Sequence, residues 1–101
     1  MDIRITKSDN RATIFLAGRF DFNVHREFKE AYTNLLADAT VQILEINLFS
    51  VDYLDSSALG MLLMLRERAA ASGKQVSLCN PNATVVKILD IAKFDKLFQI
   101  S

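Results

Sequence analysis

Val41 to Leu65 reads VQILEINLFSVDYLDSSALGMLLML, and its two halves obey different periodicities. Val41 to Phe49 is dense in branched apolar residues and predicts a central buried strand. Asp55-Ser56-Ser57 then supplies the side-chain oxygens that open a helix. Ala58 to Ser72 is rich in helix formers, and Gly73 stops the helix as the residue just past its end. A buried strand feeding a helix through a short polar junction is the unit of an α/β sheet.

The flanking segments extend the same alternation. Asp2 to Lys7 places Ile3 and Ile5 on one face, Ser8-Asp9-Asn10 turns, and Ala12 to Ala17 forms a second strand closed by Gly18. So short a connection predicts an antiparallel hairpin. In Val24 to Ala37 the apolar residues Val24, Phe28, Ala31 and Leu35 recur at helical spacing, with Asn23 as the expected N-cap. Lys74 to Cys79 alternates again as a strand. Asn80-Pro81 is a second start signal, with proline expected in the first turn of a helix over Thr84 to Ala92. Lys93 to Ile100 reads equally as a short helix or a terminal strand, docked by Phe94, Leu97, Phe98 and Ile100. The fold class is therefore α/β, one domain over residues 1–101, with a mixed sheet. The opening hairpin is antiparallel, the later strands are parallel, and helices pack against them. In such sheets, sites form at the carboxyl ends of the strands. That singles out two loops, Gly18 to Asn23 and Ser50 to Ser57.

Composition removes several classes of function. The 101 residues carry 12 Lys+Arg and 12 Asp+Glu, a formal net charge of zero, and 50% are hydrophobic. A nucleic-acid binder normally carries a basic surplus, and a membrane-surface protein a polybasic patch. The longest apolar run, Ala58 to Leu65, is far short of the ~20 residues that span a bilayer. The N-terminus lacks the apolar stretch of a signal peptide. A single cysteine, Cys79, forms neither an internal disulfide nor a cysteine-based zinc site and reads as a buried, inert thiol. The expectation is a small cytoplasmic domain with no cofactor, no metal, no direct nucleic-acid contact and no membrane insertion.

Chemistry-bearing residues cluster at the two loops. Ser56 or Ser57, His25, and Asp21 or Asp55 make a Ser/His/Asp set on paper. The serines do not lie in the strained G-x-S-x-G turn that exposes a nucleophile, so a solvated histidine and no enzyme are expected. Capping needs one oxygen, whereas Asp55, Ser56 and Ser57 offer three, with Asp52 close before them. One hydroxyl is therefore left at the positive end of a helix dipole, where an anion is tolerated. Of Phe20 and Phe22, flanking Asp21, one is expected either to pack under the loop or to meet a partner. The helix from Ala58 to Leu65 has no polar face for two turns. It is either buried between sheet and neighbouring helix, or exposes an edge near Ala58, Leu62 and Leu65 for docking.

The segment Tyr53 to Gly60 (YLDSSALG), between a strand and a long helix, resembles the STAS domain of anti-sigma-factor antagonists. Leu16 to Asp21 (LAGRFD) is similar to that family's L-x-G-x-[IL]-D segment. Ile88 to Phe94 (ILDIAKF) is similar to its L-F-x-x-x-G-L segment, with Lys93 where a glycine is usual and Ala58 for the glycine of D-S-S-G-L-G. The resemblance covers nearly the whole chain. It implies a switch protein whose unphosphorylated form binds an anti-sigma factor, itself often a serine kinase, and releases the sigma factor. It makes Ser56 the phosphoacceptor and implies a serine/threonine phosphatase that reverses the modification. The expected partner surface takes Asp21, Phe22 and Asn23 from the first loop. From the second it takes Asp52, Asp55, Ser57, Ala58 and Leu62. The alternative function within the same fold is a regulatory STAS subunit of a transporter such as a lipid-exporting ABC system.

Overall fold

The computed structural model describes residues 1–101 as one two-layer unit. Its strands are β1 (Asp2–Ser8), β2 (Arg11–Phe20), β3 (Ile43–Leu54), β4 (Gln75–Cys79) and β5 (Gln99–Ile100). The helices are α1 (His25–Leu36), α2 (Ser56–Ala71) and α3 (Ala83–Ile91). The sheet runs in sequence order, β1-β2-β3-β4-β5. β1 and β2 are antiparallel, and every later pairing is parallel. This is the mixed sheet expected from the hairpin and the strand–helix alternation.

The core lies on one face of the sheet. Ala12, Ile14 and Leu16 of β2 and Leu44, Ile46 and Leu48 of β3 are buried there. They join one apolar cluster with Phe28 of α1, Leu62 and Leu65 of α2, and Val85 and Leu89 of α3. All three helices thus cover the same side. The other side carries the alternate residues, among them Thr13, Phe15, Glu45 and Asn47, and an Arg11–Glu45 ion pair.

β2 and β3 both outrun their expected limits. Gly18 does not close β2, which continues to Phe20, and Ser50 to Leu54 belong to β3 rather than to a loop. Two irregularities explain the misreading. Phe15 pairs with Asn47 but Ala17 with Ser50, and Gly18 pairs with Val51 but Arg19 with Tyr53. β3 thus inserts one extra residue at each step, which breaks its alternation and twists the strand. Gly18 sits at the second step with φ +104°, a conformation that a residue with a Cβ rarely adopts. Asn82 holds the irregular stretch in place. Its Nδ2 donates to Phe49 O at 2.9 Å and Val51 O at 2.7 Å, while its Oδ1 accepts from Val85 N at 3.0 Å. Asn82 is therefore the N-cap of α3, and Pro81 lies before the helix rather than in its first turn.

The remaining boundaries follow local chemistry. Gly73 has φ +72°. It donates to Ala70 O at 3.1 Å, and Lys74 N donates to Ala69 O at 2.8 Å, the paired bonds that close a helix on a left-handed residue. The C-terminal segment is both things its sequence suggested: a 3₁₀ turn at Phe94–Lys96, then the two-residue strand β5. Lys93 takes the left-handed conformation at φ 58° where a glycine would be unstrained.

Candidate functional site

The carboxyl ends of β2 and β3 lie side by side and launch α1 and α2. Phe20 is fully buried and anchors the end of β2, whereas Phe22, two residues on, is 66% exposed. Between them Asp21 organises the loop. Its Oδ1 accepts from Asn23 N at 2.9 Å and its Oδ2 from Arg19 Nε at 3.0 Å. The Arg19 guanidinium lies 4.7 Å from the centre of the Tyr53 ring, across to β3. Asn23 is not the cap expected of it. A 3₁₀ turn at Phe22–Val24 precedes α1 and is capped by Asp21, which accepts from Asn23 N, while the N-cap position of α1 itself falls on Val24, which makes no side-chain cap bond. Asn23 is exposed within that turn.

α2 starts directly at the end of β3. Asp55 N donates to Phe20 O at 3.3 Å, tying the junction to β2. Asp55 Oδ1 accepts from Ala58 N at 2.8 Å, so this carboxylate supplies the N-cap. Ser57 is not used as a cap and lies half-buried in the first turn. Ser56 is the first helical residue and is exposed. Its hydroxyl faces solvent beside the free N–H groups of the helix start. Asp52 is the extra residue of β3 at the second irregularity and is also exposed.

Ala58 and Leu62, expected at a docking edge with Leu65, are fully buried in the core. A helix apolar on all sides does not declare its rotation. Here the Ala58–Leu62–Leu65 stripe turns towards the sheet and the stripe of Ser57, Gly60 and Met64 turns out. Met64 is 47% exposed.

This outward stripe forms one wall of a groove against α1, a feature the sequence reading missed. Its volume is about 270 Å³. Phe22, His25, Lys29 and Tyr32 make the opposite wall. The Phe22 ring stacks on His25 with centroids 5.7 Å apart, and Tyr32 meets Phe28 edge-on at 5.3 Å. Burial pushes the Tyr32 hydroxyl pKa up, and the positive charge of Arg68 partly opposes this. The available signals were Phe22, a phenylalanine in a polar loop, and Gly60, a glycine inside a helix.

Ser57 and His25 line the same groove, yet neither is arranged for acyl transfer. Asp55 is engaged as a cap and Asp21 with Arg19 and Asn23, so no carboxylate orients the imidazole. No three His, Cys, Asp or Glu side chains come together as metal ligands. Cys79 is buried on the sheet face away from the helices. Its thiol pKa is pushed up to about 11 by burial and by neighbouring Glu45, which keeps it a thiol at neutral pH. No helix is long and apolar enough to cross a membrane.

The family model described as "Mlab, STAS domain" matches residues 3–99, and the chain belongs to the STAS domain family. A STAS-domain containing protein of Pseudomonas aeruginosa (strain UCBPP-PA14) is 46% identical over 89 residues, spanning 88% of this chain and 86% of that one. Among solved structures, the unphosphorylated form of the anti-sigma factor antagonist SpoIIAA superposes with a TM-score of 0.82 at 18% identity, over 99% of this chain and 88% of its own. An anti-sigma factor antagonist from Mycobacterium paratuberculosis gives 0.85 at 18% identity, over 98% and 83%. The STAS domain of a SulP transporter from Vibrio cholerae gives 0.74 at 23% identity, over 94% and 75%. At these identities the likeness establishes a shared fold.

Proposed function

We propose that this chain is an anti-sigma factor antagonist gated by phosphorylation of Ser56. Unmodified, it binds an anti-sigma factor, itself a serine kinase, and thereby frees the sigma factor. A serine/threonine phosphatase restores the binding form. The domain acts by association and performs no catalysis. The observation that carries this reading is the state of the Ser56 hydroxyl. It is exposed at the first position of α2, and the capping role that would otherwise occupy it belongs to Asp55.

The mechanism is electrostatic. A phosphate adds about −1.5 to −2 charges at neutral pH. Within the domain it is tolerated, because free N–H groups and the positive end of the α2 dipole lie beside it. In a partner interface it must be desolvated near Asp52, Asp55 and Asp21, which costs several kcal/mol unless a basic partner group meets it. Phosphorylation then blocks docking without unfolding the domain. The surface involved is Asp21, Phe22, Asn23, Asp52, Asp55 and Ser57 around the acceptor. Support for the reading comes from the fold shared with SpoIIAA and the D-S-S junction.

The test is binding of purified anti-sigma factor by wild type, Ser56→Ala and Ser56→Asp, with mass spectrometry of the protein from its native cell. Ser56→Asp is expected to bind at least tenfold more weakly than Ser56→Ala, with phosphate found on Ser56. Equal binding by the two variants overturns the gate. A second reading, a regulatory subunit of a transporter, is supported by the fold shared with the STAS domain of a SulP transporter. Co-purification of an ABC ATPase subunit instead of an anti-sigma factor would select it.

A further inference from the structure

We propose that the groove between α1 and α2 receives an acidic amphipathic helix of the partner protein. The partner is the one supplied by the antagonist reading, and to that extent the assignment rests on it.

Four observations converge on this occupant. First, the groove is apolar and adaptable: Phe22 and Met64, both well exposed, form its lips. Exposed large apolar side chains of this kind mark contact sites, and methionine adjusts its shape to what it meets.

Second, Gly60 forms part of its lining without any need from the fold. Gly60 is exposed, its backbone is helical, and apart from its chain neighbours and its own helix backbone no atom lies within 4 Å of the place a Cβ would occupy. Glycine inside a helix is destabilising relative to alanine. What its presence achieves is open space over α2.

Third, both walls are helices, whose backbone groups are already paired within each helix. An extended segment lying here would find no backbone partners and would bury unpaired N–H and C=O groups. A helix brings its own. Along α1 the wall runs from His25 to Tyr32, roughly 10 Å at 1.5 Å per residue. That length accepts apolar anchors spaced i, i+4, i+7.

Fourth, the charges of the groove have one sign. Lys29 is the charged residue of the lining, His25 is its other titratable base, and no carboxylate lines it. Arg68 lies near enough to act on Tyr32. Glu27 and Glu30 of α1 do not line the groove; they border neighbouring depressions that share Phe22, His25 and Lys29 with its wall. A partner helix flanked by Asp or Glu therefore complements the walls. The groove is also continuous with the proposed docking edge, since Phe22 and Ser57 belong to both.

The chain itself provides the probe. It has three methionines, Met1, Met61 and Met64. Met61 and Met64 line the groove, while Met1 lies beside Gly18. Methyl-labelled methionine thus gives two reporters in the groove and one outside its lining. A synthetic amphipathic helix of about 14 residues, with leucines at i, i+4 and i+7 and glutamates on its flanks, is titrated against the full chain. The comparison peptide has lysines in place of the glutamates. The acidic peptide is expected to shift Met61 and Met64 saturably and to bind about tenfold more tightly than the basic one. Lys29→Glu is expected to reverse that order. Gly60→Phe fills the open space and is expected to abolish the shifts while leaving the far-ultraviolet spectrum and a cooperative melt intact. Equal binding of the two peptides, shifts at Met1 alone, or unaltered binding by Gly60→Phe each overturns the assignment.

The outcome separates from that of the Ser56 gate. The groove is decided on the unmodified wild-type chain, and the gate on the Ser56→Asp to Ser56→Ala ratio with the whole anti-sigma factor.

Discussion

Replacing Gly60 with alanine is expected to make the domain more stable. The residue lies inside α2, with helical backbone and, beyond its chain neighbours and its own helix backbone, no atom within 4 Å of the added methyl. Nothing must move to receive it. The change removes the conformational freedom of a glycine in the unfolded chain and is worth about 1 kcal/mol in a helix interior. For 101 residues, an unfolding entropy of roughly 2.1 cal/mol/K per residue gives about 0.2 kcal/mol/K. The melting temperature should therefore rise by about 5 °C. Urea titration should show the midpoint moving up with an unchanged slope. The other two glycines are the control. Gly18 and Gly73 have φ of +104° and +72°. Alanine at either is expected to cost about 1–2 kcal/mol and lower the melting temperature. A melting temperature for Gly60→Ala equal to or below wild type would refute the reasoning. It would mean that α1 closes over Gly60 in solution and that the groove is not open.

Leu62→Ala is expected to destabilise the domain by about 2.7–5 kcal/mol in urea titration, because Leu62 is fully buried in the core; a cost under ~1 kcal/mol would mean that it faces outward after all. Asp55→Ala should cost about 0.5–2 kcal/mol through loss of the α2 cap, whereas Ser57→Ala should cost a few tenths. Asp38 accepts from Lys7 at 2.8 Å and from the hydroxyl and backbone N–H of Thr40, which hold its carboxyl far below the ordinary 3.8. Its contribution is thus present above the ordinary pKa and is lost as pH falls through the lower folded-state value. The stability difference between wild type and Asp38→Asn should be constant from pH 7 to 5 and shrink below about pH 4, which urea midpoints across that range will check.

The fold was legible because most of its elements keep one periodicity. The switch from alternation to helical spacing after Gly18 separates β2 from α1, and Gly73 marks the end of α2 on its own. β3 was only half legible. Its buried residues are spaced by two at Leu44, Ile46 and Leu48, then by three at Val51 and Leu54. A strand that inserts two residues against its neighbour reads as a strand followed by a loop. The start of α1 was misread for a related reason: a 3₁₀ turn moved the capping task from Asn23 to Asp21. At the site, Ser56 and Asp55 stand out as polar residues before an apolar run. The facing of Ala58 and Leu62 did not, since the rotation of an all-apolar helix is fixed by what it packs against. The groove depends on α1 and α2 lying side by side, which no spacing within either segment encodes.

The hairpin and the terminal strand together have a practical consequence for anyone tagging this domain. Asp2 pairs with Ala17, so the N-terminus emerges beside Gly18 at the end of the sheet that carries Ser56. Ser101 N donates to Leu78 O and Ser101 O accepts from Asn80 N, so the C-terminus emerges at the same end. A fluorescent protein or affinity handle fused at either terminus stands next to the surface under study and competes with incoming partners for space. The connection between α1 and β3, where Ala39 is exposed, lies at the far end of the domain. Reporters grafted there would leave the working end clear.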